Sequence, residues 1–153
     1  MATSPASIET LEIAKEIEIA ASIDIVYETL LEQLGPLLET PDGMPMPMIL
    51  EPWPGGRWYN NFENHEGRFW GHVQVIEPPG LLEICGPHFM SYPALAHFQY
   101  RLTEENGATQ FKFRYRVIGQ LEAADRESVS RCDFMKRVRD LAERRNSVRR
   151  KDR

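Results

Sequence analysis

The chain has 153 residues, 42% of them hydrophobic and 27% charged, with a formal net charge of −5. That length fits one domain, large enough to bury a core without disulfide staples. Its mild acidity argues against a dedicated nucleic-acid binder, which would carry a basic face.

The charge is unevenly spread. Residues 1–50 hold nine Asp or Glu and a single Lys, whereas residues 141–153 hold five Arg and one Lys against Glu143 and Asp152. Cys85 and Cys132 are the two cysteines. Two do not make a disulfide framework, so both are read as reduced thiols. No apolar run reaches the ~20 residues that a membrane span needs. The first residues, Met-Ala-Thr-Ser-Pro-Ala, lack the features of a signal peptide. A cytoplasmic protein is expected.

Residues 1–8 read as a flexible leader, residues 9–145 as one domain and residues 146–153 as a frayed basic tail. Leu11, Ile13, Ile17 and Ile19 alternate with acidic residues, the period of a half-buried strand. Lys15 falls on the apolar parity: it either lines a cavity or lays its stem along the core with the ammonium in water. Ser22 is placed to cap a helix carrying Ile23, Val26, Tyr27, Leu30, Leu31 and Leu34 at helical spacing, which Gly35-Pro36 ends. In the Met44-Pro-Met46-Pro-Met48 run, alternate prolines forbid a central strand. Its thioethers either rim a pocket or fill gaps.

Pro54-Gly55-Gly56 turns the chain into a strand on which Trp58, Asn60 and Phe62 share a face. Asn64 to Gly67 makes a hairpin-type connection, residues 68–76 form a further strand, and Leu81 to Cys85 a short one. An irregular stretch from Gly86 to Pro93 holds His88. Phe98, Tyr100 and Leu102 alternate with polar residues, as do Phe111, Phe113, Tyr115 and Val117 after the Asn106-Gly107 reversal. A helix beginning between Ala123 and Ser128 follows, with Val129, Cys132, Met135, Val138 and Leu141 along one stripe, widened by Phe134.

Strands in succession with segregated helices indicate the α+β class. A curved antiparallel sheet of about seven strands is expected to wrap around the long C-terminal helix. The rings of Trp58, Phe62, Phe98, Tyr100, Phe111, Phe113 and Tyr115 would then face Met135 and its neighbours, with space left over.

Four segments carry a resemblance that spans nearly the whole chain. They are Ile17 to Tyr27, Glu51-Pro52 with Gly55-Gly56, Gly71-His-Val73 with Ile76-Glu-Pro-Pro79, and Gly107-Ala-Thr109. In this order they resemble the SRPBCC (START-like, polyketide cyclase-like) superfamily, in particular the branch similar to activators of the heat-shock chaperone ATPase. The resemblance implies a helix-grip fold with a hydrophobic cavity and no single activity. The Met-Pro run and the basic tail depart from the usual pattern.

The sequence shows no phosphate-binding loop, no metal-ligand spacing and no nucleophile beside an evident base. No cofactor and no catalytic residue is assigned. His65 and His97 are read as surface residues and His72 as turned outward. His88 is the first candidate for acid or base chemistry, near a cavity mouth. Asn60 lies on the inner parity, where a buried amide needs a partner, either a ligand or a nearby backbone group. The expected ligand-binding set is Trp58, Asn60, Phe62, His88, Phe98, Tyr100, Phe111, Phe113, Tyr115 and Met135. The leading expectation is a non-catalytic protein that binds a hydrophobic small molecule or lipid. The alternatives are a cyclase- or hydrolase-type enzyme acting on an aromatic or polyketide-like molecule, and a partner protein of the chaperone-activator kind. A homodimer through a sheet edge or the last helix is a further arrangement.

Overall fold

A computed structural model describes residues 7–131 and 133–151. Strands β1 (Glu9–Ile19), β2 (Ile49–Leu50), β3 (Arg57–Asn61), β4 (Gly67–Glu77), β5 (Leu81–Gly86), β6 (Ala94–Glu105) and β7 (Ala108–Gly119) form one antiparallel sheet. Its order is β1-β7-β6-β5-β4-β3-β2. Every neighbour from β2 to β7 is consecutive in the chain, and only β1 reaches across, to pair with β7. The helices are α1 (Ile23–Leu34), α2 (Ala123–Arg131) and α3 (Phe134–Lys151). This is the expected α+β helix-grip architecture. No helix among the described residues is long and apolar enough to cross a membrane.

The alternation read in the sequence becomes an inner and an outer sheet face. Ala96, Phe98, Tyr100 and Leu102 of β6 are buried, as are Thr109, Phe111, Tyr115 and Val117 of β7, while Lys112, Arg114 and Arg116 are exposed. Burying each large apolar side chain contributes about 1.5–3 kcal/mol relative to leaving it in water.

Both helical layers cover this face. Helix α1 inserts Ile25, Val26, Leu30 and Leu34, and α3 inserts Met135, Val138 and Ala142. The two run antiparallel. Ser22 N–H donates to Asn146 Oδ1 at one end, and Arg145 meets Glu32 further along. At the far end Arg137 faces Glu39, just past α1.

The expected long C-terminal helical segment is present, its described residues assigned to α2 and α3. Three expectations need correction. Helix α3 continues to Lys151 rather than fraying after Arg145. The Ser22 side chain makes no capping bond; Glu104 of β6 instead accepts from the Ile23 N–H at 3.2 Å, setting a carboxylate at the positive end of α1. Phe62 lies beyond the end of β3 and is 56% exposed, because the chain leaves the ladder into a single 3-10 turn, Glu63–His65.

Cys85 is a free thiol, whereas Cys132 lies outside the described residues. Residues 1–6 of the expected leader, with Asp152 and Arg153, lie outside them too.

Candidate functional site: an aromatic cavity between sheet and helices

The sheet and the helices do not close completely on each other. A cavity of about 400 Å³ remains between them, within the range of small-molecule sites. Its sheet wall carries Trp58, Trp70, Phe98, Tyr100, Phe113 and Tyr115; its helical side carries Gln33, Leu34, Phe134 and Arg137. His88, Phe89, Lys15, Glu39, Thr40, Met46, Asp125 and Val129 are among the other lining residues.

The ring geometry explains why space survives. Trp58 meets Trp70 edge-on at 4.9 Å and Phe98 at 5.1 Å, both at 83°. Phe98 meets Tyr115 at 5.0 Å, and Phe113 meets Phe134 at 4.9 Å. Edge-to-face pairs are favourable for aromatic rings but leave gaps that branched aliphatic side chains would fill.

Trp58 is fixed by more than packing. Its indole N–H donates to the Leu34 carbonyl at 2.7 Å, satisfying one of the orphan acceptors at the C-terminal end of α1. One sheet residue therefore ties the end of the helix to the cavity wall.

Trp70 reaches the cavity through a β-bulge. The β3–β4 register passes from Trp58 opposite Gly71 to Tyr59 opposite Phe69, leaving Trp70 as the extra residue. Trp70 and Gly71 are consequently buried in succession, where a regular strand would alternate. Outside the ladder, the Trp70 carbonyl accepts the His88 N–H at 2.9 Å. Close backbone approach makes this possible: a Cβ on Gly86 would sit 2.3 Å from the Gly71 Cα and 2.5 Å from the Trp70 oxygen.

His88 is held with φ of 58°, a left-handed conformation that costs a non-glycine residue energy. Its ring packs against Phe89 at 4.3 Å, Trp70 at 4.7 Å and Phe98 at 4.9 Å. Burial among these rings pushes the imidazole down to about 3, so it is neutral at pH 7. His88 also lines the cavity. Its Nδ1 lies 3.1 Å from the Tyr115 hydroxyl. With that hydroxyl donating, the imidazole proton sits on Nε2. Burial raises the Tyr115 phenol above its usual value, with smaller contributions from Tyr92 and Asp125.

Tyr92 donates to Asp125 Oδ2 at 2.6 Å, tying α2 to the loop before β6. Burial and the Asp125 hydrogen bond push Tyr92 up to about 12. Helix α2 buries no residue; Arg126 also joins it to Glu9 of β1 at 2.5 Å.

Among the described residues, three cavity-lining side chains carry unmet hydrogen-bonding capacity. Gln33 is 7% exposed and its Oε1 is buried without a partner. The Arg137 Nε is buried and makes no hydrogen bond: the Glu39 carboxylate lies 3.7 Å away, beyond bonding distance, and Nη2 reaches the Glu39 carbonyl at 3.4 Å. An unsatisfied buried polar group costs about 1–3 kcal/mol. The Trp70 indole nitrogen is the third such group, buried without a partner.

Of the expected set, the structure brings Trp58, His88, Phe98, Tyr100, Phe113 and Tyr115 together around this cavity. Asn60 is buried, but its Oδ1 accepts the Arg68 N–H at 2.6 Å, so the backbone supplies its partner. Phe111 and Met135 are packed in the core and do not line the cavity, and Phe62 faces outward. Phe134 takes the place expected for Met135, meeting Tyr100 at 5.8 Å and Phe111 at 6.0 Å. His88 sits among the rings of Trp70, Phe89 and Phe98. Lys15 is exposed and also forms part of the lining, so its position combines both sequence-level readings. In the Met-Pro run Met46 lines the cavity, Met48 is buried in the core and Met44 is exposed.

Trp70, Gln33 and Arg137 were missed. The signal for Gln33 was present, since it falls three residues after Leu30 and seven after Val26 on the apolar stripe. Among the described residues no group of three or more His, Cys, Asp or Glu is arranged to hold a metal ion.

No family model matches the sequence, and no curated protein matches it. Solved structures do resemble it. An uncharacterised protein from Rhizobium leguminosarum is 14% identical, covering 92% of this chain and 99% of its own, with a TM-score of 0.61. Ara h 8.0201 is 13% identical over 89% of this chain and 98% of its own, at 0.60. The Aha1 dimer from Colwellia psychrerythraea is 14% identical over 87% and 96%, also at 0.60. At these identities the likeness extends to the fold.

Proposed function

We propose that this protein binds an apolar, ring-containing small molecule in the cavity between sheet and helices, without transforming it. The observation that carries this reading is the roughly 400 Å³ space walled by Trp58, Trp70, Phe98, Tyr100, Phe113 and Tyr115. Rings of this kind give a ligand large contact areas at little cost in side-chain entropy.

Binding is favoured over the cyclase or hydrolase reading by the state of the polar groups. A general base works best with a pKa near the working pH. Burial holds His88 near 3 and lifts Tyr115 above its normal value, so the pair stays neutral at pH 7 and suits hydrogen bonding rather than proton transfer. The chaperone-partner reading rests on fold likeness, which does not by itself carry function.

Native mass spectrometry of the gently purified protein tests the reading. A one-to-one adduct that is displaced by an added polycyclic aromatic compound is the expected result. A bare mass that acquires no aromatic compound at micromolar concentration contradicts it.

A further inference from the structure

The binding reading leaves open which chemical class the cavity selects, and the unmet polar groups bear on that. Gln33 projects from the core-facing stripe of α1, and Arg137 from α3, which runs antiparallel to it. Both therefore belong to the helical side of the cavity, facing the aromatic wall of the sheet.

Their chemistry is directional. A guanidinium only donates, and its planar fork matches the two oxygens of a carboxylate. Arg137 keeps Nε without a hydrogen bond, and the Glu39 carboxylate beside it stands off at 3.7 Å. Gln33 bears an amide whose orientation follows whichever partner is present, so it can turn its NH₂ toward an acceptor. Lys15 adds a second positive charge to the lining. Two carboxylates also line the cavity. Asp125 already accepts from Tyr92, and Glu39 is the weakly engaged neighbour that a better-placed acceptor would supplant.

We infer that the cavity selects a planar aromatic carboxylate, its rings against the sheet wall and its carboxyl group against Arg137 and Gln33. This rests on the binding reading and narrows it. A neutral hydrocarbon would fill the space yet leave Arg137 Nε without a hydrogen bond, whereas a carboxylate supplies an acceptor to the guanidinium and another to the Gln33 NH₂ once its amide turns.

The test compares anthracene carboxylate with its neutral alcohol, anthracene methanol, by calorimetric titration of the full chain and of its Arg137→Leu and Gln33→Leu variants. Charge-assisted bonds of this kind correspond to an affinity preference of about tenfold or more for the carboxylate in the native protein. Arg137→Leu should collapse that ratio toward one, and Gln33→Leu should reduce it several-fold. Equal affinities in the native protein, or a ratio that survives in Arg137→Leu, would overturn the inference while leaving the binding reading intact. Failure of both compounds to bind would overturn the two together. The native-protein comparison stands even if a variant does not fold.

Discussion

Trp58 shows how one residue serves both the fold and the site. Its ring is wall to the cavity, and its N–H closes the end of α1 at Leu34. Replacing it by Phe retains most of the apolar contact but leaves a buried helix carbonyl without a donor. The expected loss is about 1–3 kcal/mol in urea unfolding, with the midpoint lowered and the slope unchanged.

His88 makes a different prediction, one of pH. Its folded-state value, near 3, lies below the ordinary 6.5, so the unfolded chain binds the proton that the folded one refuses. Stability is then level above pH 6.5 and falls as pH drops from 6.5 toward 3. Asn tolerates the left-handed backbone at this position and does not titrate. The native protein should therefore lose up to about 2 kcal/mol more than His88→Asn between pH 7 and pH 5 in denaturant unfolding. Parallel losses in the two proteins would show that the imidazole is not buried as described.

At the scale of elements, legibility followed periodicity. The alternation in β6 and β7 placed Phe98, Tyr100, Phe111, Phe113 and Tyr115 inward, because two long strands with an Asn-Gly turn leave no freedom of register. Trp70 escaped because a bulge adds one residue and breaks parity, and nothing local in a β-rich run marks where it falls. Phe62 was assigned inward for the opposite reason: parity was extended past the point where β3 ends. Helix α2 has only partly buried side chains and is joined to the sheet side by Asp125–Tyr92 and Arg126–Glu9. Tyr92→Phe should speed amide exchange severalfold across Ala123–Arg131 and leave β6 and β7 unchanged, as expected of a locally opening unit. Unaltered exchange in α2 would show that the Tyr92 hydroxyl does not hold it.

Across the whole molecule, a curved sheet and an antiparallel helix pair meet fully around Val26, Leu30, Phe111 and Val138, and part around His88. The sequence pattern implied a surplus of ring surface, but not where the surplus would leave a void. That depended on the Trp70 bulge, the Gly71–Gly86 approach and the placement of Phe134 rather than Met135 against the rings. The direct measurement is a fluorescence titration with aminoanthracene, comparing the native chain with Val129→Trp, which puts a bulky ring into the cavity lining from α2. One saturable site in the native protein, weakened about tenfold or more in the variant, is the predicted outcome. Equal binding by both proteins, or none by the native one, would contradict an open aromatic cavity at this position.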